Sequence, residues 1–547
     1  MLRRSVCLLL CAALFLTLLA GCGKQEEPAE DFVVSAAVCG PLETLDPTMN
    51  TDVGTESLLS TLFEGLMRMR DDGAGKAVAV AGIAKEYIEE KNYDDTVTYT
   101  FTLRSAARWS DGERVTAEDF VYAWQRLVDP ATASPNASLL SMVAGYDEVR
   151  ESGDVSLLGV KAKGESTFLV TLSRPCAYFI TSVCTSPATA PLRRDLVEGN
   201  ASWAATADIV TNGPYTVGTW VKAAQLQTKR NGEYYESKLV VPDSICFRFE
   251  TDAQTNYDQL LAGELDYTAK LPYAAIEQLA EDETWQPAPL AETVCVLYNH
   301  LTDTFSDAQL RRAFDLAIDR AAATAACGAE NSPATGLVPY GIPDSGETED
   351  DFRTTGGELC AIDEEGMSAR ATQAQEELTY AGYYSTSMFP PVELLYVTGT
   401  ENDAVASALQ NMWSTTLGVN VMLRGVTQAE YNTRMEAGNY ELALQKVTAL
   451  YDDAMGFLDR WCSEDEQNLI SYENGTYDVL MGVARASEDP VARTAFLHDA
   501  ETMLLGETAL SPVYFDGTAH MLRDTLRGVY TDGFGNSYFA GVRANTD

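Results

Sequence analysis

Val97-Thr98-Tyr99-Thr100-Phe101-Thr102-Leu103 alternates large apolar side chains with threonine over seven residues. A period of two places the apolar set on one face and the hydroxyls on the other, so the segment reads as a half-buried strand. Trp109-Ser110-Asp111-Gly112 follows as a turn. Thr116-Ala117-Glu118-Asp119 then opens a helix, with Thr116 as the N-cap and acids in the first turn. Phe120, Ala123, Trp124 and Leu127 recur at helical spacing, which gives that helix one apolar face. Asp129-Pro130 stops it, because proline lacks the amide a helix needs. A strand feeding an amphipathic helix through a short turn is the building unit of mixed α/β lobes.

The same grammar recurs outward from this block. Phe168, Val170 and Leu172 predict a second strand. Ser306-Asp307-Ala308-Gln309 reads as a capping box, with Leu310, Ala313, Phe314, Ala317 and Ile318 as the apolar stripe behind it. Val405, Leu409 and Met412 predict a helix ended by Leu417-Gly418, and Val419, Val421 and Leu423 predict the strand after it. The stretch from Gly341 to Gly366, rich in acids and glycine, predicts a long surface loop. No repeat with a solenoid period is visible.

The N-terminus sets the compartment. Arg3 and Arg4 precede an apolar run from Val6 to Leu19. At about 14 residues the run suits a signal-peptide core and is short for a membrane span. It ends in Leu19-Ala20-Gly21-Cys22, which resembles a bacterial lipobox. Residues 1–21 are therefore expected to be a signal peptide, Cys22 the lipidated first residue, and 22–31 a polar tether. Stable anchoring takes two or more acyl chains, so the expectation is a protein held on the outer face of the cell membrane by lipid alone. The remaining chain is too long for one core. The full sequence's net charge of −43 argues against nucleic acid and against docking on anionic lipid through the protein surface.

Eight cysteines lie beyond Cys22, and none forms a C-x-x-C pair. Cys176 with Cys184 and Cys327 with Cys360 are candidate disulfides in an oxidising compartment; buried free thiols are the alternative. Only three histidines are present, none in H-E-x-x-H spacing, and no G-x-S-x-G elbow or Ser-x-x-Lys occurs. Gly73-Ala74-Gly75-Lys76 lacks the upstream glycine and following hydroxyl of a phosphate loop. Asp452-Asp453 and Glu464-Asp465-Glu466 lack calcium-loop spacing and read as solvated charges. These absences argue against an enzyme, a metal centre or any cofactor.

A set of ordered segments resembles the oligopeptide-binding proteins, family 5 of the extracellular solute-binding proteins. It comprises Leu45-Asp46-Pro47, Leu62-Phe63-Glu64-Gly65-Leu66, the Tyr99–Arg126 block, Thr211-Asn212-Gly213-Pro214-Tyr215, Ala317-Ile318-Asp319-Arg320, Met412-Trp413 and Pro512-Val513-Tyr514. The resemblance implies a mixed α/β, two-lobed clamp of three domains, like the periplasmic binding proteins, with the ligand in a cleft between the lobes. It implies a discontinuous domain I (32–66, 186–290 and 511–547), domain II (67–185) and domain III (291–510). It further implies a monomer that hands a small peptide, or another small solute such as an opine, nickel chelate, glycan or haem, to the permease subunits of an ABC importer. A peptide sensor without transport is the alternative role.

The resemblance places Thr51, Val53, Asn136, Trp413, Leu417, Thr448, Ala449, Leu450, Asp452 and Asp453 at the ligand. Val53 either offers backbone to a peptide or packs as core. In peptide binders an aspartate, preceded by a Trp-Cys pair, neutralises the ligand ammonium, because an unpaired buried charge is costly. Here Leu450 stands at that position, Val447-Thr448 replace the Trp-Cys pair, and Leu444 and Met435 stand where some relatives carry arginines. Two outcomes stay open. Asp452 or Asp453 takes over the ammonium, or both acids face solvent and the ligand is not a free-amino peptide.

Overall fold

The computed structural model describes residues 31–546 apart from 51, 74, 76, 95, 281–287, 329, 345–350, 364–365, 386–388, 450, 466 and 488. The signal segment, Cys22 and most of the tether lie outside the described residues.

Val97–Leu103 is a strand whose odd-numbered residues are buried, as the alternation predicts. It sits second in a four-stranded antiparallel sheet with Ala84–Lys91, Thr167–Leu172 and Val160–Ala162. The following helix spans Ala117–Val128 and is capped reciprocally by Thr116 and Asp119. Its apolar face, with Phe120 and Trp124 fully buried, packs on Phe168 of the sheet. A six-stranded sheet lies beside this unit. It brings Val33–Ala37 between Ser244–Arg248 and Tyr267–Thr268 and ends on the distant strand Met521–Leu522. One continuous core unites both sheets and recruits Phe539 and Val542 from the C-terminal tail.

A second six-stranded sheet builds the other lobe, in the order Ser332–Pro333, Leu510–Thr518, Ala288–Tyr298, Leu442–Thr448, Val392–Val397, Val421–Val426. It is apolar on both faces. Val294 and Val296 enter one core with Phe314 and Trp413, while Cys295 and Leu297 enter another with Phe457 and Trp461. Burial on both faces explains why these strands read as near-continuous apolar runs.

Sequence and structure part company in three places. Residues 511–518, expected to open the last piece of domain I, lie in the strand Leu510–Thr518, which is hydrogen-bonded into the second lobe's sheet because it pairs along Ala288–Tyr298. The Gly341–Gly366 stretch contains a helix, Phe352–Gly356, with Phe352 and Arg353 buried, where a surface loop was predicted. Arg353 is drawn inside by Glu501, to which it is paired at 2.8 Å. The helix Ala308–Leu316 is capped by Asp307, whose carboxylate reaches Gln309 N at 2.8 Å, and not by Ser306.

The chain crosses between lobes on neighbouring strands. Ala288 and Pro289 pair with Thr518 and Gly517 at one end of the second sheet, and Met521 then joins the first lobe. Two adjacent crossings concentrate rotation at one place, which is the geometry of a hinge. Among the described residues no helix is long and apolar enough to cross a membrane.

Candidate functional site

The lobes also meet along two loops, the second of which leaves the hinge end of its sheet, with Thr448 paired to Glu292. One follows the strand Thr167–Leu172 and carries Arg174, Tyr178 and Ser182. The other follows Leu442–Thr448 and carries Tyr451, Asp452 and Asp453. Tyr178 and Tyr451 stack across the gap, with ring centroids 3.3 Å apart and planes 8° from parallel. Beside them Asp452 N donates to Ser182 Oγ at 3.1 Å. Between these two loops the jaws touch through the ring pair and this amide–hydroxyl hydrogen bond, and elsewhere Ala291 N donates to Gly533 O of the C-terminal tail at 2.6 Å.

A cavity of about 220 Å³ lies under this contact, lined by Asn136, Arg174 and Tyr178 from one lobe and Tyr451, Asp459 and Arg460 from the other. Asn136 fixes one wall. Its Nδ2 donates to Thr48 O at 3.2 Å and Asn50 O at 2.5 Å, which ties the wall to the chain entering the helix Val53–Leu62. That helix starts hard against the strand Val33–Ala37 and the residues after it. A Cβ on Gly54 would lie 1.8 Å from Val38 O, so only glycine fits there. Asp52 caps the helix, accepting from Thr55 N at 2.8 Å. Arg460 forms the opposite wall. Its Nη2 donates to the carbonyls of Thr448 at 2.6 Å and Gly456 at 3.2 Å. Burial pulls the Arg460 guanidinium below its ordinary pKa, with Tyr451 and Asp465 opposing.

The expected ligand residues divide by location. Asn136 lines the interlobe cavity, while Asp452 touches the facing lobe through its backbone. Thr448 Oγ1 donates to Glu292 Oε1 at 3.0 Å, and Ala449 is buried with its amide on Ala291 O at 3.1 Å. Trp413 and Leu417 belong to the core of the second lobe. Trp413 is fully buried, with Nε1 on Phe314 O at 3.0 Å, and neither residue reaches the cavity. Asp453 is neither a solvated charge nor an open acid, since Arg493 grips it at 2.8 Å through both guanidinium nitrogens. Thr51, Leu450 and the side chain of Val53 lie outside the described residues; Val53 itself begins the helix.

Sequence reasoning missed a charged cluster at the hinge end of the cleft. Lys446 Nζ lies 3.0 Å from Glu292 Oε2 and also pairs with Asp516. Burial raises the Asp516 carboxyl pKa, and Lys446 opposes that rise. The available signal was a lysine inside the otherwise apolar-leaning strand Leu442–Thr448. A second acid group sits by the helix start. Burial and the neighbouring Asp532 lift the Glu56 carboxyl to about 7. All eight described cysteines are free thiols, so neither candidate disulfide forms here.

Residues 79–468 match the family model for bacterial extracellular solute-binding proteins, family 5 Middle. The chain is 30% identical over 509 residues to the periplasmic oligopeptide-binding protein OppA of Escherichia coli, covering 91% of this chain and 90% of that protein. It is 30% identical over 494 residues to a probable deoxycholate-binding periplasmic protein of the same organism, covering 89% and 88%. Haemophilus influenzae OppA, solved in complex with the peptide RPPGFSPFR, superposes with a TM-score of 0.74 at 26% identity, covering 94% of this chain and 99% of that one. The family is one of solute-binding proteins of ABC transporters and not of enzymes. With the family model spanning most of its length and a relative matched almost end to end, this chain belongs to the family 5 bacterial extracellular solute-binding proteins.

Proposed function

We propose that this protein captures oligopeptides outside the cytoplasm and delivers them to the permease of an ABC importer. The observation that carries the reading is a cavity walled by both lobes, which are joined by a two-strand hinge. A ligand there contacts both jaws only when they are shut, so its binding energy drives closure, and the shut form is what a permease can recognise. Every peptide offers the same backbone donors and acceptors, which lets one cleft serve many sequences. Leu19-Ala20-Gly21-Cys22 supports lipidation at Cys22, leaving a monomeric receptor on the outer face of the membrane.

A second reading, a non-peptide solute, draws on Leu450 at the position of the ammonium partner and on Asp453 being spent on Arg493. The identity to a probable deoxycholate-binding protein agrees with it. Melting residues 23–547 against a tripeptide library separates the two. A ligand of the folded state raises the melting temperature by mass action. Shifts with several tripeptides support the peptide role, and a flat response across the library overturns it.

A further inference from the structure

The interlobe cavity carries a charge imbalance that its own side chains leave open. Arg460 donates only to carbonyl oxygens, and its Nε is buried without a partner. Among the described residues no carboxylate pairs with it, and none pairs with Arg174 across the cavity. Asp459, on the same wall, is taken by Arg485. Asp465 is the remaining acid of the lining, and it accepts from Gln467 N at 2.8 Å. Two guanidiniums, one from each lobe, therefore face one unpaired acid. Carbonyls satisfy the donors of the buried Arg460 without supplying a charge, so Asp465 is the one acid of the lining left to offset it, and the exposed Arg174 adds a second cation at the cavity. An arginine fork matches a carboxylate edge-on.

We propose that the cavity holds the carboxylate of a short ligand between Arg460 and Arg174. The inference deepens the solute-receptor reading and rests on it. The volume of about 220 Å³ falls below the roughly 300–1,000 Å³ of typical ligand pockets, which favours ligands of two or three residues over long peptides. A carboxylate gripped from both lobes is fully paired only in the shut form, so it acts as the trigger for closure. It also supplies an anchor in a chain where Leu444 and Met435 stand at the arginine positions of some relatives.

The test is calorimetric titration of residues 23–547 with tri-alanine, its C-terminal amide, deoxycholate and deoxycholate methyl ester. Arg460→Gln and Arg174→Gln are titrated alongside, with melting curves to show that each variant is folded; Arg174 is exposed, so its removal leaves the core intact. The expected result is binding of tri-alanine at least tenfold tighter than of its amide. Each variant should lose about that factor for the acid and leave the amide unchanged. Free-acid binding of deoxycholate alone, lost in the ester, sustains the carboxylate anchor and sinks the peptide reading. Equal affinity for tri-alanine and its amide overturns the anchor and leaves the peptide reading standing. Binding of neither probe pair overturns the anchor.

Discussion

Replacing Tyr178 with alanine removes the ring that meets Tyr451 across the cleft. The rings lie nearly parallel at 3.3 Å, a face-to-face arrangement in which like quadrupoles repel, so the pair falls at the low end of the usual range, about 0.5 kcal/mol. Both rings are half-buried, and the water they exclude adds a comparable amount, for a total of ~1 kcal/mol. The contact exists only when the jaws meet, so the whole amount is lost from the shut state. A factor of ten costs about 1.4 kcal/mol, so ~1 kcal/mol lowers the shut population, and with it ligand affinity, by about fivefold. The hydrogen bond from Asp452 N to Ser182 Oγ remains, which keeps the effect from growing into loss of binding. Calorimetry of Tyr178→Ala with the tightest-binding tripeptide of the library measures it, and Tyr178→Phe should stay within twofold of the unmodified protein. Unchanged affinity in Tyr178→Ala would refute the view that this ring pair latches the lobes.

Other perturbations have equally definite outcomes. Glu501→Gln leaves Arg353 charged and unpaired where both side chains are fully buried, so unfolding in denaturant should show a loss of about 3–5 kcal/mol. Burial and Asp532 hold the Glu56 carboxyl at about 7, above its ordinary 4.5. A raised carboxyl binds its proton more tightly folded than unfolded, so its contribution is intact below about 4.5 and is lost as pH rises towards 7. Glu56→Gln should therefore melt higher relative to the unmodified protein at pH 8 than at pH 4, and a constant gap across that span would contradict the assignment. Cys22→Ala should move the protein from the detergent phase to the aqueous phase on partitioning; no change would dismiss the lipid anchor.

What could be read from the sequence was what is local. The alternation in Val97–Leu103 and the Thr116–Asp119 cap need only neighbours a few residues away, and both stand in the structure. The ordered segments from Leu45 to Tyr514 carried the two-lobed architecture. Features made by distant partners stayed hidden. Arg353 looked like part of an acidic loop because Glu501 lies 148 residues away. Asp453 looked solvated or ligand-bound because Arg493 is 40 residues downstream. Ser182 and Asp452 touch over 270 residues, and no pattern within either loop announces that meeting. Trp413 was placed at the ligand by analogy of sequence position, whereas its ring fills the second lobe's core. Lys446 was legible as an oddity in an apolar strand, yet its role depended on Asp516 arriving from the returning hinge strand.

Small-angle X-ray scattering with and without a saturating tripeptide tests the central claim most directly, because a clamp must change shape when it fills. A fall in the radius of gyration on adding a tripeptide that calorimetry shows to be bound is the predicted result. Superimposable scattering curves from the empty and the loaded protein would contradict it.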